Sequence, residues 1–284
     1  MKKIIVIPNP TKDIGYSVTG AVVKKLSSLG FITYLDEKYR CSDISGVTYY
    51  EELPRDIDLI VVIGGDGSVI DASLIALELD VPILGVNLGK VGYMVELDPD
   101  KLDTLELLVT GEYKVEDKML LSVKKITGAG EVVSNRLAVN DIVISHDNYF
   151  GIADFRVENE QGDHVHYRAD AVILSTPQGS TAYSLSAGGP IISHTLDSIT
   201  VTPVCPHSFF NRSIVYGADE KISVCNISEE KLNISIDGRL FETLHKDESC
   251  IVVKGEKRIA MITFSEKNVF STLSKKIKSL DDVV

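Results

Sequence analysis

A single carboxylate lies among three glycines in the stretch VVIGGDGSVIDAS, residues 61–73. The carboxylate is Asp66, and it follows an apolar run directly. Glycines let the backbone approach a ligand closely, and the free amides of a helix N-terminus favour phosphate. A carboxylate in a phosphate site is unfavourable by charge alone, so a functional Asp66 must bind metal or accept a proton from a hydroxyl nucleophile. The alternative is a tight structural turn, in which Gly and Asp are ordinary residues.

Two further polar segments have residue types that suit a ligand. The segment STPQGSTAYSLSAGGP, residues 175–190, combines small and hydroxyl residues with one aromatic ring, Tyr183. Such a loop and short helix could wrap a flat, polar ligand, although it could also be a glycine-rich crossover. In VNDIVIS, residues 139–145, Asn140 and Asp141 are adjacent in an otherwise apolar strand. A buried polar pair requires partners, which backbone or a ligand could supply.

Standard phosphate and metal motifs do not account for these segments. The dinucleotide fingerprint fails because Ile70 stands where its third glycine belongs, and GVNLGKV, residues 85–91, is too short for a Walker loop. The four cysteines are widely spaced, which indicates buried thiols rather than a zinc ribbon or a disulfide framework. His164 and His166 share a strand face, but two ligands without a third favour solvated positions over a metal site.

The first hundred residues alternate strand and helix patterns. Strands are predicted at 3–7, 58–63 and 81–86, and helices at 16–29 and 68–79, with Ser68 able to cap the second helix. Uninterrupted Ile and Val runs joined by helices are typical of a parallel sheet covered on both faces. The N-terminal region is therefore predicted to be a doubly wound α/β domain that places the GGDG turn at the carboxyl edge of its sheet, where such folds bind ligands.

After a predicted helix at 99–110 the pattern changes to alternating, β-branched segments separated by turn signals, which indicates antiparallel strands. We therefore expect three regions: an α/β domain at 1–100, a β-rich domain at 101–264, and a C-terminal segment at 265–284. The last is helical at 266–278 and is expected to pack back onto the first domain. A chain of 284 residues is consistent with two domains.

Composition restricts the class of partner. The formal net charge is −12, which disfavours non-specific attraction to nucleic acid or anionic lipid. An anionic substrate would then need backbone amides, a few placed cations or a divalent metal to offset repulsion. The apolar run near the N-terminus is too short for a secretory or membrane segment. We expect a soluble, cytoplasmic protein that binds neither nucleic acid nor membrane.

Taken together, the motifs resemble those of the NAD kinase family along nearly the whole chain. GGDGS at 64–68 is similar to the family's GGDGT, NLGKVGYM at 87–94 to its NxGxxGF segment, and NDIVI at 140–144 to its NE/D motif. TPQGSTAYSLSAGGP at 176–190 is similar to TPTGSTAYSLSAGGP, and PHSFFNRSIV at 206–215 and SIDG at 235–238 also match. GGDG alone also occurs in lipid kinases and phosphofructokinases, whereas the GSTAYSLSAGGP block is highly specific.

The resemblance implies a phosphotransferase of two-domain, NAD-kinase-like architecture. Family members transfer a phosphoryl group from ATP, or in some cases polyphosphate, to the adenosine ribose 2′-hydroxyl of NAD, possibly also NADH, giving NADP. A divalent metal, Mg²⁺ by expectation, is required, and its protein ligands are unknown here. In bacterial relatives a neighbouring subunit completes the NAD site, so a homodimer or homotetramer is implied.

The resemblance also implies residue roles. Asp66 matches the general base, and Gly64, Gly65, Gly67 and Ser68 match the phosphate donor region. The residues that match NAD contacts are Asp66, Gly67, Asn140, Asp141, Arg168, Asp170, Thr181, Ala182, Tyr183, Ser186 and Arg239. Arg168 and Asp170 could instead be a surface ion pair, and Tyr183 could be a core residue.

Two residues differ from the family pattern, and two alternative functions are considered. Arg239 stands where relatives commonly carry Gln, so it could engage a substrate phosphate or a partner carboxylate. Ser68 replaces Thr, and either hydroxyl can cap a helix. A protein that senses a dinucleotide without turnover would lack the acid at position 66, which is present. A GGDG lipid kinase would favour an apolar acyl groove, whereas the ligand block here is polar.

Overall fold

The computed structural model of the protein describes residues 2–41, 44–89, 92–146, 151–265 and 272–274. These residues divide into two compact units. Unit 1 comprises the described residues within Met1–Lys118 and Ile259–Val284, and unit 2 comprises those within Met119–Arg258. The domain limits at 1–100, 101–264 and 265–284 stay predictions.

Unit 1 contains a parallel sheet with helices between its strands. Its strands are β1 (Lys3–Pro8), β2 (Ile32–Asp36), β3 (Thr48–Tyr50), β4 (Leu59–Gly64) and β5 (Ile83–Asn87), and its helices are α1 (Ser17–Ser28), α2 (Asp66–Leu79) and α3 (Leu107–Thr110). The strand order is β5-β4-β1-β2-β3, and every neighbouring pair is parallel. The predicted α/β, doubly wound architecture is confirmed.

The chain reverses its direction across the sheet at β1, since β2 pairs with one side of β1 and β4 with the other. In open α/β sheets, ligands bind in the crevice beyond the carboxyl ends of the strands at such a reversal. Here the loop that follows β1 is joined to the end of β4, because the backbone N–H of Asn9 donates to the carbonyl of Ile63 at 2.8 Å. The fold therefore holds the glycine-rich turn at this crevice.

Burial explains why the central strands form. Every residue of β4 and β5 is buried, as expected for apolar strands in the interior of a parallel sheet. Helix α1 packs its buried face, formed by Thr19, Val22, Val23 and Leu26, into the core of unit 1 at helical spacing. The turn after β4 is therefore anchored by a rigid, fully packed element.

Two predicted helices of unit 1 differ from the structure or lie partly outside the described residues, and two strands of this unit were not predicted. The predicted helix at 99–110 is a 3₁₀ helix over Pro99–Glu106 and an α-helix only over Leu107–Thr110. Strands β2 and β3 were not predicted, because β3 has only three residues and β2, with the sequence ITYLD, lacks an uninterrupted aliphatic run. Of the predicted helix at 266–278, residues 272–274 are helical and the remainder lies outside the described residues.

Unit 2 contains two antiparallel sheets. Its strands are β6 (Lys114–Ile126), β7 (Val132–Ala138), β8 (Asp141–His146), β9 (Ala153–Asn159), β10 (His164–Ala169), β11 (Ala171–Ser175), β12 (Ser198–Val204), β13 (Ile214–Gly217), β14 (Ile222–Asn226), β15 (Leu232–Ile236), β16 (Arg239–Leu244) and β17 (Ser249–Thr263). One sheet has the order β10-β9-β14-β17, in which β6 also pairs with β17 and β7 pairs with β6. The other sheet has the order β13-β12-β11-β8-β15-β16. The ends of β6 and β17 extend into unit 1.

Alternate side chains of the two sheets form the core of unit 2. Ile142 and Ile144 of β8 and Val172 and Leu174 of β11 pack there with Phe155 of β9. The segment after β11 contains a 3₁₀ turn at Gly179–Thr181 and the helix α4 (Tyr183–Ser186). Directly after α4, Ala187 packs against Val143, Ala171 and Ile173 of the second sheet. The predicted β-rich region is confirmed. Among the described residues, no helix is both long and apolar enough to cross a membrane.

Candidate active site

The glycine-rich turn is too crowded for other residues at its first position. Strand β4 ends at Gly64, Gly65 is the extended N-cap residue of α2, and the helix begins at Asp66. A Cβ on Gly64 would lie 2.3 Å from Ser68 Oγ and 2.6 Å from Ser68 Cβ. Because both contacts are shorter than real Cβ contacts, glycine is required for the chain to enter the helix here.

The carboxylate of Asp66 is held by two backbone amides. The N–H of Tyr93 donates to Oδ2 at 3.0 Å, and the N–H of Met94 donates to Oδ1 at 2.9 Å. A Cβ on Gly92 would lie 2.3 Å from Asp66 Oδ1, so a glycine at position 92 makes room for the carboxylate. Each carboxylate oxygen retains acceptor capacity beyond these bonds. Asp66 is therefore oriented but still able to accept a proton.

Asp66 lies near the phenol of Tyr93 and at the N-terminus of α2. Burial raises the pKa of Tyr93, and the nearby charge of Asp66 adds to this effect. In addition, Asp66 is in the first turn of α2, where the helix dipole favours a carboxylate. The helix N-terminus therefore favours a carboxylate side chain at the position that Asp66 occupies.

The predicted cap at Ser68 is wrong. Helix α2 begins two residues earlier, at Asp66, and its N-cap residue Gly65 has no side chain to bond the free amides. The hydroxyl of Ser68 instead accepts a hydrogen bond from Asn9 Nδ2 at 2.8 Å. Ser68 therefore ties the loop after β1 to the glycine-rich turn and does not cap α2. The sequence reasoning did not identify Asn9, because its partner is 59 positions away.

In unit 2, the segment after β11 docks on the backbone of Asn140. The hydroxyl of Thr176 donates to the carbonyl of Val139 at 2.8 Å and accepts from the N–H of Gly179 at 2.9 Å. A Cβ on Gly179 would lie 2.0 Å from the carbonyl oxygen of Asn140. Only glycine permits this approach, which fixes the Ser/Thr-rich segment against the start of β8.

Asp141 is the first residue of β8, and Asn140 directly precedes the strand. Three consecutive amides here, of Val139, Asn140 and Asp141, donate to the carboxylate of Asp237 at 2.9, 2.7 and 3.1 Å. Among the described residues, the buried side-chain oxygen of Asn140 has no hydrogen-bond partner. The carboxylate of Asp237 thus supplies the partner of these three main-chain amides, whereas the side-chain oxygen of Asn140 has none among the described residues.

Asp237 occupies a two-residue turn between β15 and β16, where Asp237 has φ +48° and Gly238 has φ +77°. Two consecutive positive φ values suit Asp-Gly in a tight hairpin turn. In the sequence, SIDG matches a motif of the NAD kinase family, but this match does not predict a role for Asp237. Its position 96–98 residues from its three donors explains the omission.

Asp141, which is buried, and Asp237, which is half-buried, form an acidic pair. Asp141 is only 5% exposed, and burial together with the charge of Asp237 raises its pKa to about 7. Burial also raises the pKa of Asp237, but its three N–H donors oppose this. Because amide donors stabilise a carboxylate, we assign the charge to Asp237 and the shared proton to Asp141.

The pair predicts a pH-dependent stability. Between its ordinary pKa and about 7, Asp141 is protonated in the folded protein and ionised in the unfolded chain, so stability falls as the pH rises through this window. Asp141→Asn should remove this loss. Denaturant unfolding of the nucleotide-free protein at pH 5 and pH 8 should show a smaller decrease for the variant, by on the order of 2 kcal/mol. Equal decreases in both proteins would contradict the assignment.

Tyr183 lies on the surface of unit 2 with 45% of its area exposed, so it is not a core residue. Burial is the largest cause that raises the pKa of Tyr183, and Cys205, Asp170 and Asp141 add to it. The phenol is therefore close to two of the acidic residues expected at the site. Of the other predicted residues in this segment, Thr181 and Ala182 are half-buried and Ser186 is exposed.

Arg168, Asp170 and Arg239 are exposed at the surface of unit 2. The backbone of Arg168 is held by the 206–215 segment, since its N–H donates to Ser208 Oγ at 2.6 Å and its carbonyl accepts from the N–H of His207 at 2.7 Å. Within the described part of the chain, no ion pair joins Arg168 to Asp170. Arg239 begins β16 directly after the Asp237 turn, and its charge opposes the rise of the Asp237 pKa.

Two family models match this chain. Residues 7–113 match the N-terminal domain of ATP-NAD kinase, and residues 138–264 match its C-terminal domain. The NAD kinase of Lachnoclostridium phytofermentans is 31% identical over 97% of this chain and 99% of its own length, and that of Caldanaerobacter subterraneus subsp. tengcongensis is 35% identical over 98% and 99%. The chain therefore belongs to the NAD kinase family.

Two solved structures of NAD and NADH kinases have the same fold as this chain. Yeast NADH kinase, solved in complex with NADH, superposes with a TM-score of 0.85 at 20% identity, covering 98% of this chain and 88% of that chain. An NAD kinase from Archaeoglobus fulgidus, solved in complex with ATP, has a TM-score of 0.71 at 22% identity, covering 96% and 99%. These similarities establish the fold.

Proposed function

We propose that this protein phosphorylates NAD, and NADH as well, with ATP as the phosphoryl donor, and that the product is NADP. Membership of the NAD kinase family supports the activity. The observation that carries the proposal is Asp66, whose carboxylate is oriented by two backbone amides beside a glycine-rich turn. This arrangement suits a hydroxyl nucleophile that must lose a proton next to a phosphate.

In the proposed reaction, the 2′-hydroxyl oxygen of the adenosine ribose forms a bond to the γ-phosphorus of ATP. The bond between this phosphorus and the β,γ-bridging oxygen breaks, and ADP leaves with the electron pair. The hydroxyl proton passes to a carboxylate oxygen of Asp66, which later releases it to solvent. Since phosphoryl transfer depends mainly on positioning and charge, Asp66 also orients the hydroxyl.

We assign the glycine-rich turn to the donor phosphates. Gly64, Gly65 and Gly67 keep side chains away from the turn, and a Cβ on Gly67 would have no neighbour within 4 Å. The N–H of Ser68 donates to the carbonyl of Gly65 at 2.9 Å, and the amides of Asp66 and Gly67 precede it at the helix start. Amides at this position, together with the helix dipole, favour an anion. Ser68 contributes indirectly, because its hydroxyl is bonded to Asn9.

A divalent metal, proposed to be Mg²⁺, would enter with the nucleotide. Among the described residues, no group of three or more His, Cys, Asp or Glu side chains is placed to hold a metal ion. Mg²⁺ does not need such a cage, because it commonly binds substrate phosphates, waters and one or two carboxylates. Asp66 and a triphosphate would supply this donor set, and the ion would neutralise charge on the phosphates.

We assign NAD contacts in unit 2 to the residues around Asn140. The unpartnered oxygen of Asn140 accepts a hydrogen bond, the protonated Asp141 donates one, and the exposed ring of Tyr183 stacks on a base. Thr181, Ala182 and Ser186 border this ring, and Asp170 lies close to it. Arg168 and Arg239 are proposed to bind phosphate or a partner carboxylate, and Gly67 to adjoin the ribose.

We further propose that the protein acts as a homodimer or homotetramer in the cytoplasm. Support for an assembly comes from the exposed apolar side chains of unit 2, among which Phe209 and Leu240 are fully or largely exposed. Apolar groups of this size are commonly covered by a partner. Sedimentation of the purified protein, with and without NAD, measures the assembly directly.

The activity predicts that NAD, ATP and Mg²⁺ give NADP and ADP in equal amounts. Chromatographic detection of NADP and ADP after incubation with the purified protein tests this. Parallel reactions with NADH as acceptor, with polyphosphate as donor, and with a long-chain diol as acceptor define the specificity. Formation of a phosphorylated diol without NADP would favour a lipid kinase and overturn the proposal.

Tyr183→Ala is expected to weaken NAD binding by about 1 kcal/mol, the contribution of one aromatic contact, or roughly fivefold in Kd. Calorimetric titration with NAD measures the change. Tyr183→Phe is the matched control, because it keeps the ring and should bind NAD almost normally. Unchanged affinity of a folded Ala variant would exclude the stacking role.

A further inference from the structure

The loop after β1, residues 9–13, brings a cation to the glycine-rich turn. A Cβ on Gly65 would lie 2.9 Å from Lys12 Nζ, so the ammonium lies directly against the N-cap residue of α2. Lys12 is exposed, and among the described residues no carboxylate forms an ion pair with it. By contrast, Lys3, Lys25 and Lys38 of the same unit are each paired with a carboxylate.

The backbone around Lys12 is fixed on both sides. Asn9 Oδ1 accepts from the N–H groups of Thr11 at 3.1 Å and of Lys12 at 3.2 Å, and Asn9 Nδ2 donates to Ser68. On the other side, the buried carboxylate of Asp13 accepts from the N–H groups of Val18 at 3.0 Å and Thr19 at 2.8 Å. The position of the lysine relative to the turn is therefore set by the fold.

A second polar group lies at the same sheet edge, the side-chain oxygen of Asn87. Asn87 ends β5 and pairs in register with Gly64, the first residue of the turn. It is 8% exposed, and within the described part of the chain its Oδ1 has no hydrogen-bond partner. A buried acceptor of this kind requires a donor, such as a nucleotide hydroxyl or a metal-bound water.

We propose that Lys12 Nζ and the first amides of α2 together bind the polyphosphate of a nucleoside triphosphate, and that Asn87 Oδ1 accepts from the nucleotide or from a water of its metal complex. This inference rests on the proposed function and names the residues that hold its donor. In a chain of net charge −12, an unpaired cation at the strand reversal offsets the repulsion of a triphosphate. Lysine acts as a point charge, so arginine should substitute in part.

The test compares Lys12→Gln with Lys24→Gln, which removes the same charge from an exposed position of α1. Charged hydrogen bonds to phosphate are strong, so Lys12→Gln should raise the KM for ATP by about tenfold or more. The Kd for Mg-ATP and for inorganic tripolyphosphate, measured by calorimetry without NAD, should rise similarly. The Kd for NAD and the Tm should not change, Lys12→Arg should recover most of the affinity, and Lys24→Gln should behave as wild type.

The binding measurement does not depend on turnover, so failure of this inference can be distinguished from failure of the proposed function. Wild-type protein that binds Mg-ATP without forming NADP would contradict the function, and the effect of Lys12→Gln on that binding would still decide the inference. Lys12→Gln with an affinity for ATP and tripolyphosphate within twofold of Lys24→Gln would overturn it. Wild-type protein that binds neither ligand would overturn it as well.

Discussion

Asp66→Asn is expected to reduce the turnover of NAD by about a hundredfold or more, while NAD still binds. Asparagine keeps the size and turn preference of aspartate but cannot accept the hydroxyl proton. Both carboxylate oxygens accept backbone N–H groups, so one of these bonds is lost when Nδ2 replaces an oxygen. We therefore expect a small loss of stability, about 1 kcal/mol, alongside the large kinetic effect.

The measurement needs kcat, the calorimetric Kd for NAD and the Tm on the same preparation. Asp71→Asn is the control, since Asp71 is exposed and lies on the same helix. Near-normal turnover of Asp66→Asn would show that Asp66 is not the base, and loss of both NAD binding and stability would indicate a structural turn.

Gly179→Ala is expected to destabilise unit 2 by about 3 kcal/mol and to weaken NAD binding by tenfold or more. The new Cβ would lie 2.0 Å from the carbonyl oxygen, 2.5 Å from the carbonyl carbon and 2.8 Å from the Cα of Asn140. All three atoms are backbone, so no side-chain rotation relieves the contact. The segment after β11 must then move away from Asn140, and the NAD contacts on both sides are displaced.

Thermal melting and calorimetry with NAD measure both effects. Gly128→Ala is the control, because a Cβ there meets nothing within 4 Å and its φ is not in the left-handed region. That variant should melt and bind NAD as wild type does. A Gly179→Ala protein indistinguishable from Gly128→Ala would mean that the segment does not depend on its contact with Asn140.

The features that sequence predicted well are those encoded locally. Strands β1, β4 and β5 are long apolar runs, and their periodicity and spacing predict a parallel sheet without any knowledge of contacts. The glycine-rich turn at the carboxyl edge followed from the same pattern. The three-residue strand β3 was missed, since so short a strand is defined by pairing with β2 rather than by its own residues.

The features that sequence could not predict depend on contacts between distant positions. Ser68 is a reasonable helix cap by residue type, but its hydroxyl is bonded to Asn9 instead. The position of Gly92 against Asp66 and the three amides bonded to Asp237 likewise join residues 26 to 98 positions apart. Residue types suggested which groups could be functional, whereas the geometry that fixes them comes from the tertiary fold.

The division of the chain has a consequence for its synthesis on the ribosome. Strand β5 is fully buried, and its neighbour on one side is the end of β17, where Met261 pairs with Ile83. Residues 119–258 of unit 2 are translated between these two partners, so nascent unit 1 exposes the edge of β5 at Ile83 until almost the whole chain has emerged, while Gly85 and Asn87 already bond to residues 96–97. An apolar, unpaired strand edge can pair with another nascent chain. We therefore expect unit 2 to fold before unit 1 is completed by its last strand. Ribosome-stalled chains that end near residue 250 should depend on chaperones more than the released protein does.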